Sequence, residues 1–457
     1  MNALAEYDDR LDRSRLAEIA NDIFLQSALQ TTIIRGATLE LFLTQLRSAL
    51  LRLADAEILD AGEVDDNVVG LFCALAQQCF LNEYVYGQTD QEMERASRLR
   101  EVLLRSLPAA SEISPLLLAA VGAYFPLHAL PSAKSLLARE WPAYASDLLR
   151  QQVAEPLEEA EDARAVPALT MMDDQTSLRV MRQYEESPYP RWVINPLAAL
   201  SGKMHGDRGD ADPLPEEILI AGCGTGEHPF DVAQKSPGAR ILAVDLSRPS
   251  LAYARRKTRE QGLRNIEYAQ ADILQLATIG RSFDRIEAVG VLHHLADPKA
   301  GWRVLVSLLR PNGVMRIGLY SETARRPLVE AQAIIAKEGY RATAGDIRAM
   351  RQKIIRERDD ARWNLLLSTV DFYSMSGCRD ILFNVMEHRF TLPDIAACLD
   401  ELGLTFLGFE LDPKIIETFR EQYPDEDATL DLDDWHAFER ANPKTFSNMY
   451  MFLVRRK

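Results

Sequence analysis

The stretch Glu217-Ile218-Leu219-Ile220-Ala221-Gly222-Cys223-Gly224-Thr225-Gly226-Glu227 decides the fold. Its first part is a short apolar run bounded by turn residues, the pattern of a buried parallel strand. Glycines then alternate through Gly222, Gly224 and Gly226, and Glu227 to Gln234 can form a helix. Strand, glycine turn and helix bring backbone close to a ligand at the carboxyl edge of a sheet. A Cβ there would block both the turn and the ligand. Outward from this motif, Arg240 to Val244 reads as a second strand ending in Asp245, 23 residues after Gly222. An acid at that spacing is placed to accept the ribose hydroxyls of a nucleoside. A helix from Ser250 to Gln261, a strand from Ile266 to Ala269 and Asp272 follow. A fourth strand is expected from Arg285 to Val291, ending at Leu292-His293-His294, and Pro311-Asn312-Gly313 reads as a tight turn feeding a fifth strand, Val314 to Leu319.

The glycine turn, Val244-Asp245-Leu246-Ser247, Ala271-Asp272-Ile273, Val291-Leu292-His293-His294-Leu295 and Leu309-Arg310-Pro311-Asn312-Gly313-Val314 occur in an order that resembles class I S-adenosylmethionine-dependent methyltransferases. The resemblance implies an α/β fold, a Rossmann-like seven-stranded methyltransferase sheet preceded by an all-helical N-terminal domain. Leu404 to Glu410 and Ser447 to Val454 would be the sixth strand and the reversed seventh. The implied cofactor is S-adenosyl-L-methionine, held by Gly222, Cys223, Gly224, Gly226, His228, Asp245, Leu246, Asp272, Ile273 and Val291. One departure stands out. The family carries an acid two residues before the first glycine, near the methionine end, and this chain has Ile220, with Glu227 or His228 as nearby replacements.

More narrowly, Gln183 to Trp192, Asp371 to Asp380 and Cys79 to Val85 resemble segments of bacterial methyltransferases often fused to tetratricopeptide repeats. No aligned repeat consensus occurs in the chain itself.

Residues 1–150 read as a helical domain, with apolar positions at three- and four-residue spacing from Leu39 to Leu51 and from Val68 to Leu75. Residues 151–215 read as a linker and aromatic lid segment: an acidic stretch from Val153 to Gln175, then Tyr184 to Trp192. That aromatic run suits a lid over a sulfonium or a packed connection between domains. Residues 216–457 are the expected methyltransferase domain, with a helical insertion at about 322–390 overhanging the acceptor side.

Methyl transfer from a sulfonium needs alignment, exclusion of water and, for some acceptors, a base. His293 and His294 follow the fourth strand and are the candidate catalytic residues. Tyr184, Tyr189, Arg191, Trp192, Tyr320, Tyr373, Arg379 and His388 are the candidates for acceptor binding. Asp380, Glu387 and His388 invite a metal reading, but carboxylates and histidines on helix faces more often form salt bridges, so no metal is expected. Leu292-His293-His294-Leu295 lacks the Asn/Asp-Pro-Pro-Tyr/Phe pattern of base and amide N-methylation. The acidic segment Glu421 to Asp434 reads as a solvated loop.

Composition narrows the partners. The 457 residues carry 68 acidic against 52 basic side chains, a formal charge of -16, which repels a phosphate backbone. The most apolar stretch, Ile113 to Leu130, is broken by Pro115 and Pro126, short of the roughly 20 consecutive apolar residues of a membrane span. Five scattered cysteines read as free thiols, and the start of the chain has no apolar signal region. The expectation is a cytoplasmic enzyme acting on a peptide, protein or small-molecule acceptor, without nucleic acid or membrane, with a homodimer through the helical domain as an option. A methyltransferase-fold scaffold without catalysis is the alternative.

Overall fold

The computed structural model describes residues 13–58, 64–108, 112–186, 192–193, 215–384 and 386–456. The chain divides into two units. The first gathers Met1–Ala160, Arg191–Ile194 and Ala331–Phe383, and the second Glu161–Pro190, Asn195–Glu330 and Asn384–Lys457.

The second unit is built on seven strands: β1 (Glu217–Ala221), β2 (Arg240–Asp245), β3 (Ile266–Gln270), β4 (Phe283–Val289), β5 (Leu309–Tyr320), β6 (Leu404–Phe409) and β7 (Met449–Arg456). They lie in the order β3-β2-β1-β4-β5-β7-β6, with β1 to β5 parallel and β7 antiparallel to both neighbours. Successive strand residues point to opposite faces, and both faces here are covered. Leu219, Val244, Ile286 and Met315 join Trp302, Leu392 and Phe452 in one apolar cluster. Ile218, Ile220, Ile241 and Ala243 join Val232 and Leu251 in the other. That double burial is why β1 and β2 read as continuous apolar runs.

Two boundaries differ from the sequence reading. The fifth strand begins at Leu309, because Pro311-Asn312-Gly313 sits inside it as an irregularity opposite Phe283 and Arg285, with Asn312 at φ 64°. The acidic segment near 430 is partly helical. Asp431 caps the helix Leu432–Ala441 by accepting from the backbone N–H groups of Asp433 and Asp434.

The first unit is helical. Its central helix, Asp66–Leu81, is buried from Val68 to Leu81 and packed on every side, with the buried Gln77 and Gln78 hydrogen-bonded to the second helix and the loop after it. Within this unit residues 331–383 pack with the N-terminal helices, whereas the sequence reading placed the whole 322–390 insertion with the methyltransferase domain. A buried ion pair explains the pull. Arg351, on the helix Ala344–Arg356, donates to Glu40 Oε1 at 2.9 Å and Oε2 at 2.6 Å, and to the carbonyls of Val85 and Phe372. The two stretches singled out at 79–85 and 371–380 also meet here. Ser376 N–H donates to the Glu83 carboxylate at 2.5 Å, and Met375 N–H to Asn82 O at 3.2 Å. A turn inside the first stretch holds Glu83 and Tyr84 at φ 57° and 60°, a left-handed conformation that costs non-glycine residues energy.

The acidic stretch after 150 forms the helix Glu155–Ala165, none of whose residues is buried. All five cysteines are unbridged and buried. Among the described residues no helix is long and apolar enough to cross a membrane.

Candidate active site

The glycine turn hangs from the end of β1. Gly222 N–H and Cys223 N–H both donate to Val244 O, tying the turn to β2. A Cβ on Gly222, at φ +72°, would lie 2.3 Å from Val291 Cγ2. A Cβ on Gly226, at φ +88°, would lie 2.4 Å from Ala254 Cβ. Those two glycines are therefore required by packing as well as by conformation. Replacing Gly222 with alanine should destabilise the second unit by about 2–4 kcal/mol, adding overpacking to a left-handed Cβ penalty. Equilibrium denaturation in urea measures this directly.

Asp245 ends β2 and holds the turn from the other side. Its Oδ2 accepts from Gly224 N–H at 2.8 Å and its Oδ1 from Ser247 N–H at 2.9 Å. Burial pushes its carboxyl pKa up, and the backbone donors of Ser247, Gly224 and Leu246 offset only part of that rise. Leu246 is half-buried beside it. Asp272, after β3, is 2% exposed. Its N–H donates to Thr170 Oγ1, its Oδ1 accepts from Leu274 N–H, and its Oδ2 has no hydrogen-bond partner. A buried acceptor left over at the carboxyl edge, across from a ribose-ready acid, fits the amino group of an adenine. Ile273 is buried beside it, and Val291 packs against Gly222. The Cys223 side chain instead joins the apolar cluster, where burial drives its thiol pKa well up, so only its backbone faces the turn.

The other half of the site lies after β4 and β5. His293 is fully buried and stacks on Tyr320, with ring centres 3.6 Å apart and planes at 20°. The Arg325 guanidinium lies 3.6 Å from the same ring centre. At such distances the two must occupy opposite faces of Tyr320. Burial, then the neighbouring His294, Arg325 and His388, hold the His293 pKa well below the ordinary histidine value, so its imidazole is neutral. His294 directs Nδ1 to Met386 O at 2.8 Å. A carbonyl only accepts, so Nδ1 carries the proton and Nε2 is the basic nitrogen of the neutral ring. His388 N–H donates to His293 O at 2.8 Å, and Phe390 N–H to Tyr320 O at 2.9 Å.

Of the acceptor-binding candidates, Tyr320 and His388 thus come together with both catalytic candidates. Trp192, Tyr373 and Arg379 belong to the first unit. There Tyr373 is 1% exposed and donates its hydroxyl to Leu367 O, the position of a packed residue. Tyr189, Arg191 and the side chain of Tyr184 lie outside the described residues. Glu387, considered above for a metal, grips Arg325 with two hydrogen bonds of 3.1 and 2.7 Å. Sequence reasoning missed Thr170, Met386, Arg325 and Glu287. Glu287 pairs with His228 across 59 residues, a contact with no local signal.

The second unit is an α/β domain with a glycine turn at the carboxyl edge of its parallel strands. Residues 218–313 match the family described as methyltransferase domain. An uncharacterized protein of Synechococcus is 33% identical over 206 residues, covering 42% of this chain and 48% of that protein. A ubiquinone biosynthesis O-methyltransferase of Methylocella silvestris is 35% identical over 130 residues, 28% of this chain and 48% of the relative. A demethylmenaquinone methyltransferase of Thermus thermophilus is 31% identical over 129 residues, covering 27% and 58%. The chain spans about half the length of the curated relatives it matches. Among solved structures, PKMT2 from Rickettsia typhi aligns with a TM-score of 0.44 at 17% identity, over 59% of this chain and 55% of that one. Residues 218–313, within the second unit, therefore carry a methyltransferase domain.

Proposed function

We propose that the chain transfers a methyl group from S-adenosylmethionine to a hydroxyl of a small-molecule or peptide acceptor, with His294 as the base. The observation that carries the reading is the Nδ1 hydrogen bond of His294 to Met386 O, which leaves Nε2 as the proton acceptor at the carboxyl edge of β4. The cofactor supplies a methyl group made electrophilic by its sulfonium. Asp245, Asp272 and the glycine turn bind and orient the nucleoside. His293, neutral behind Tyr320, adds no competing charge beside His294. Tyr320, clamped between His293 and Arg325, and His388 position the acceptor. A hydroxyl acceptor fits because it must lose its proton to such a base, and the relatives named above include an O-methyltransferase of ubiquinone biosynthesis.

The narrower likeness to bacterial methyltransferases fused to tetratricopeptide repeats is part of the same proposal. It draws support from the union of 79–85 and 371–380 in the first unit. That unit is the candidate for acceptor recognition or for a homodimer.

The test uses purified full-length chain and S-adenosylmethionine labelled on the methyl group, with a panel of phenols and hydroxylated peptides. His294→Asn should lower kcat by roughly 100- to 1000-fold while leaving cofactor affinity unchanged, and should remove the limb of the pH–rate profile that reports the base. Full activity in the variant would remove His294 from catalysis. Absence of cofactor binding by the unaltered chain would return the reading to a non-catalytic scaffold.

A further inference from the structure

The register of β1 on β4 places Glu287 directly beside Ile220. The paired row runs Ala243, Ile220, Glu287, Arg316 across four strands, so these side chains share one face of the sheet. Ile220 stands where the resemblance leads one to expect an acid, and it is 1% exposed within an apolar cluster. Its neighbour Glu287 is 2% exposed, and a carboxylate in the middle of a sheet carries a heavy desolvation cost. An apolar residue would fit the row beside Ile220 and Ala243 without that cost.

Glu287 is kept ionised. Burial alone would raise its pKa, but the His228 hydrogen bond, followed by the charges of His228, Arg285 and Arg316, more than reverses this and leaves it below the ordinary carboxylate range. His228 Nε2 lies 2.7 Å from Glu287 Oε2, Arg316 Nη1 3.4 Å from the same oxygen, and Arg285 Nε 3.6 Å from Oε1. The His228 side chain is 27% exposed against 3% for that of Glu287, so it carries the pair's influence toward solvent. It is the second residue of the helix Glu227–Lys235, whose N-cap is Gly226 of the glycine turn. The unsatisfied N–H groups and positive dipole end of that helix point toward the turn. With Nε2 committed to Glu287, Nδ1 is the nitrogen left to meet a ligand.

We propose that Glu287 and His228 together recognise the amino-acid end of the cofactor, performing from β4 the role that Ile220 cannot perform from β1. The proposal rests on the reading of this domain as an S-adenosylmethionine site. The carboxylate has moved one strand sideways in the same row, and His228 extends its reach to the mouth of the turn.

Two probes isolate the effect. S-adenosylhomocysteine and 5′-methylthioadenosine share the adenosine and the thioether sulfur, but only the first carries the amino-acid group. Calorimetric titration of the full chain should show a clear preference for S-adenosylhomocysteine. In Glu287→Gln and His228→Ala that preference should shrink by about tenfold or more, with the affinity for 5′-methylthioadenosine essentially unchanged. Ile220→Asp added to Glu287→Gln should recover part of the loss. His228→Ala alters a partly exposed side chain, so it reports even if Glu287→Gln fails to fold. An unchanged preference, or equal weakening of both probes, would overturn the proposal and make the pair purely structural. If the unaltered chain bound neither probe, the cofactor reading would fall first and this proposal with it, which is a different result.

Discussion

Asp245→Ala is expected to weaken S-adenosylmethionine binding by at least about 100-fold, because one carboxylate performs two tasks. It accepts from the backbone of Gly224 and of Ser247, which sets the shape of the glycine turn. Its remaining lone pairs are those available to ribose hydroxyls. Hydrogen bonds to a charged group contribute about 1.5–3 kcal/mol each, so losing two of them to the ribose already reaches that factor. The disordering of Gly224 adds to it. Asp245→Asn keeps one acceptor oxygen and should fall between the two proteins. Calorimetry distinguishes the cases, and binding by the alanine variant within a few-fold of the unaltered chain would show that Asp245 is not a cofactor ligand.

The second large effect concerns the first unit. Arg351→Met is expected to destabilise it by about 3–5 kcal/mol, since it strands the buried Glu40 carboxylate and two backbone acceptors. Arg351 is fully buried and Glu40 is 1% exposed, so water does not compensate. The Phe372 ring also lies 4.6 Å from the guanidinium. Glu40→Leu combined with Arg351→Met should cost much less than the sum of the single changes, because neither charge is then left unpaired. Urea denaturation of the four proteins in a double-mutant cycle gives the coupling. Additive losses would mean that the ion pair does not hold residues 331–383 to the N-terminal helices.

The elements that were legible in the sequence share one property: their determinants lie close together in the chain. The glycine turn needs only the spacing of Gly222, Gly224 and Gly226, and Asp245 and Asp272 need only to end strands. The last two strands, Leu404–Phe409 and Met449–Arg456, fall where the resemblance implied them, at Leu404 to Glu410 and Ser447 to Val454. The fourth strand was placed two residues too late, at Arg285 to Val291 against Phe283–Val289, since an apolar run does not mark where Gly290, at φ 73°, turns the backbone away.

Three residues show the limit of such reading. Glu287 looks, in sequence, like a polar interruption of a strand, and His293 and His294 look alike. Register alone sets Glu287 beside Ile220, and the return of the chain at Met386, 92 residues later, gives His294 its tautomer while His293 stacks on Tyr320.

By itself, then, the sequence determined a nucleoside-binding α/β sheet, its glycine turn and its two acids, because each depends on local backbone geometry and on periods of two and 3.6 residues. Only the tertiary structure decided which histidine faces a carbonyl, which buried carboxylate lies beside Ile220, and that the middle of the insertion joins the N-terminal helices through a pair 311 residues apart. Hydrophobic periodicity tells a side chain which face to bury; it does not tell it which distant partner it will find there.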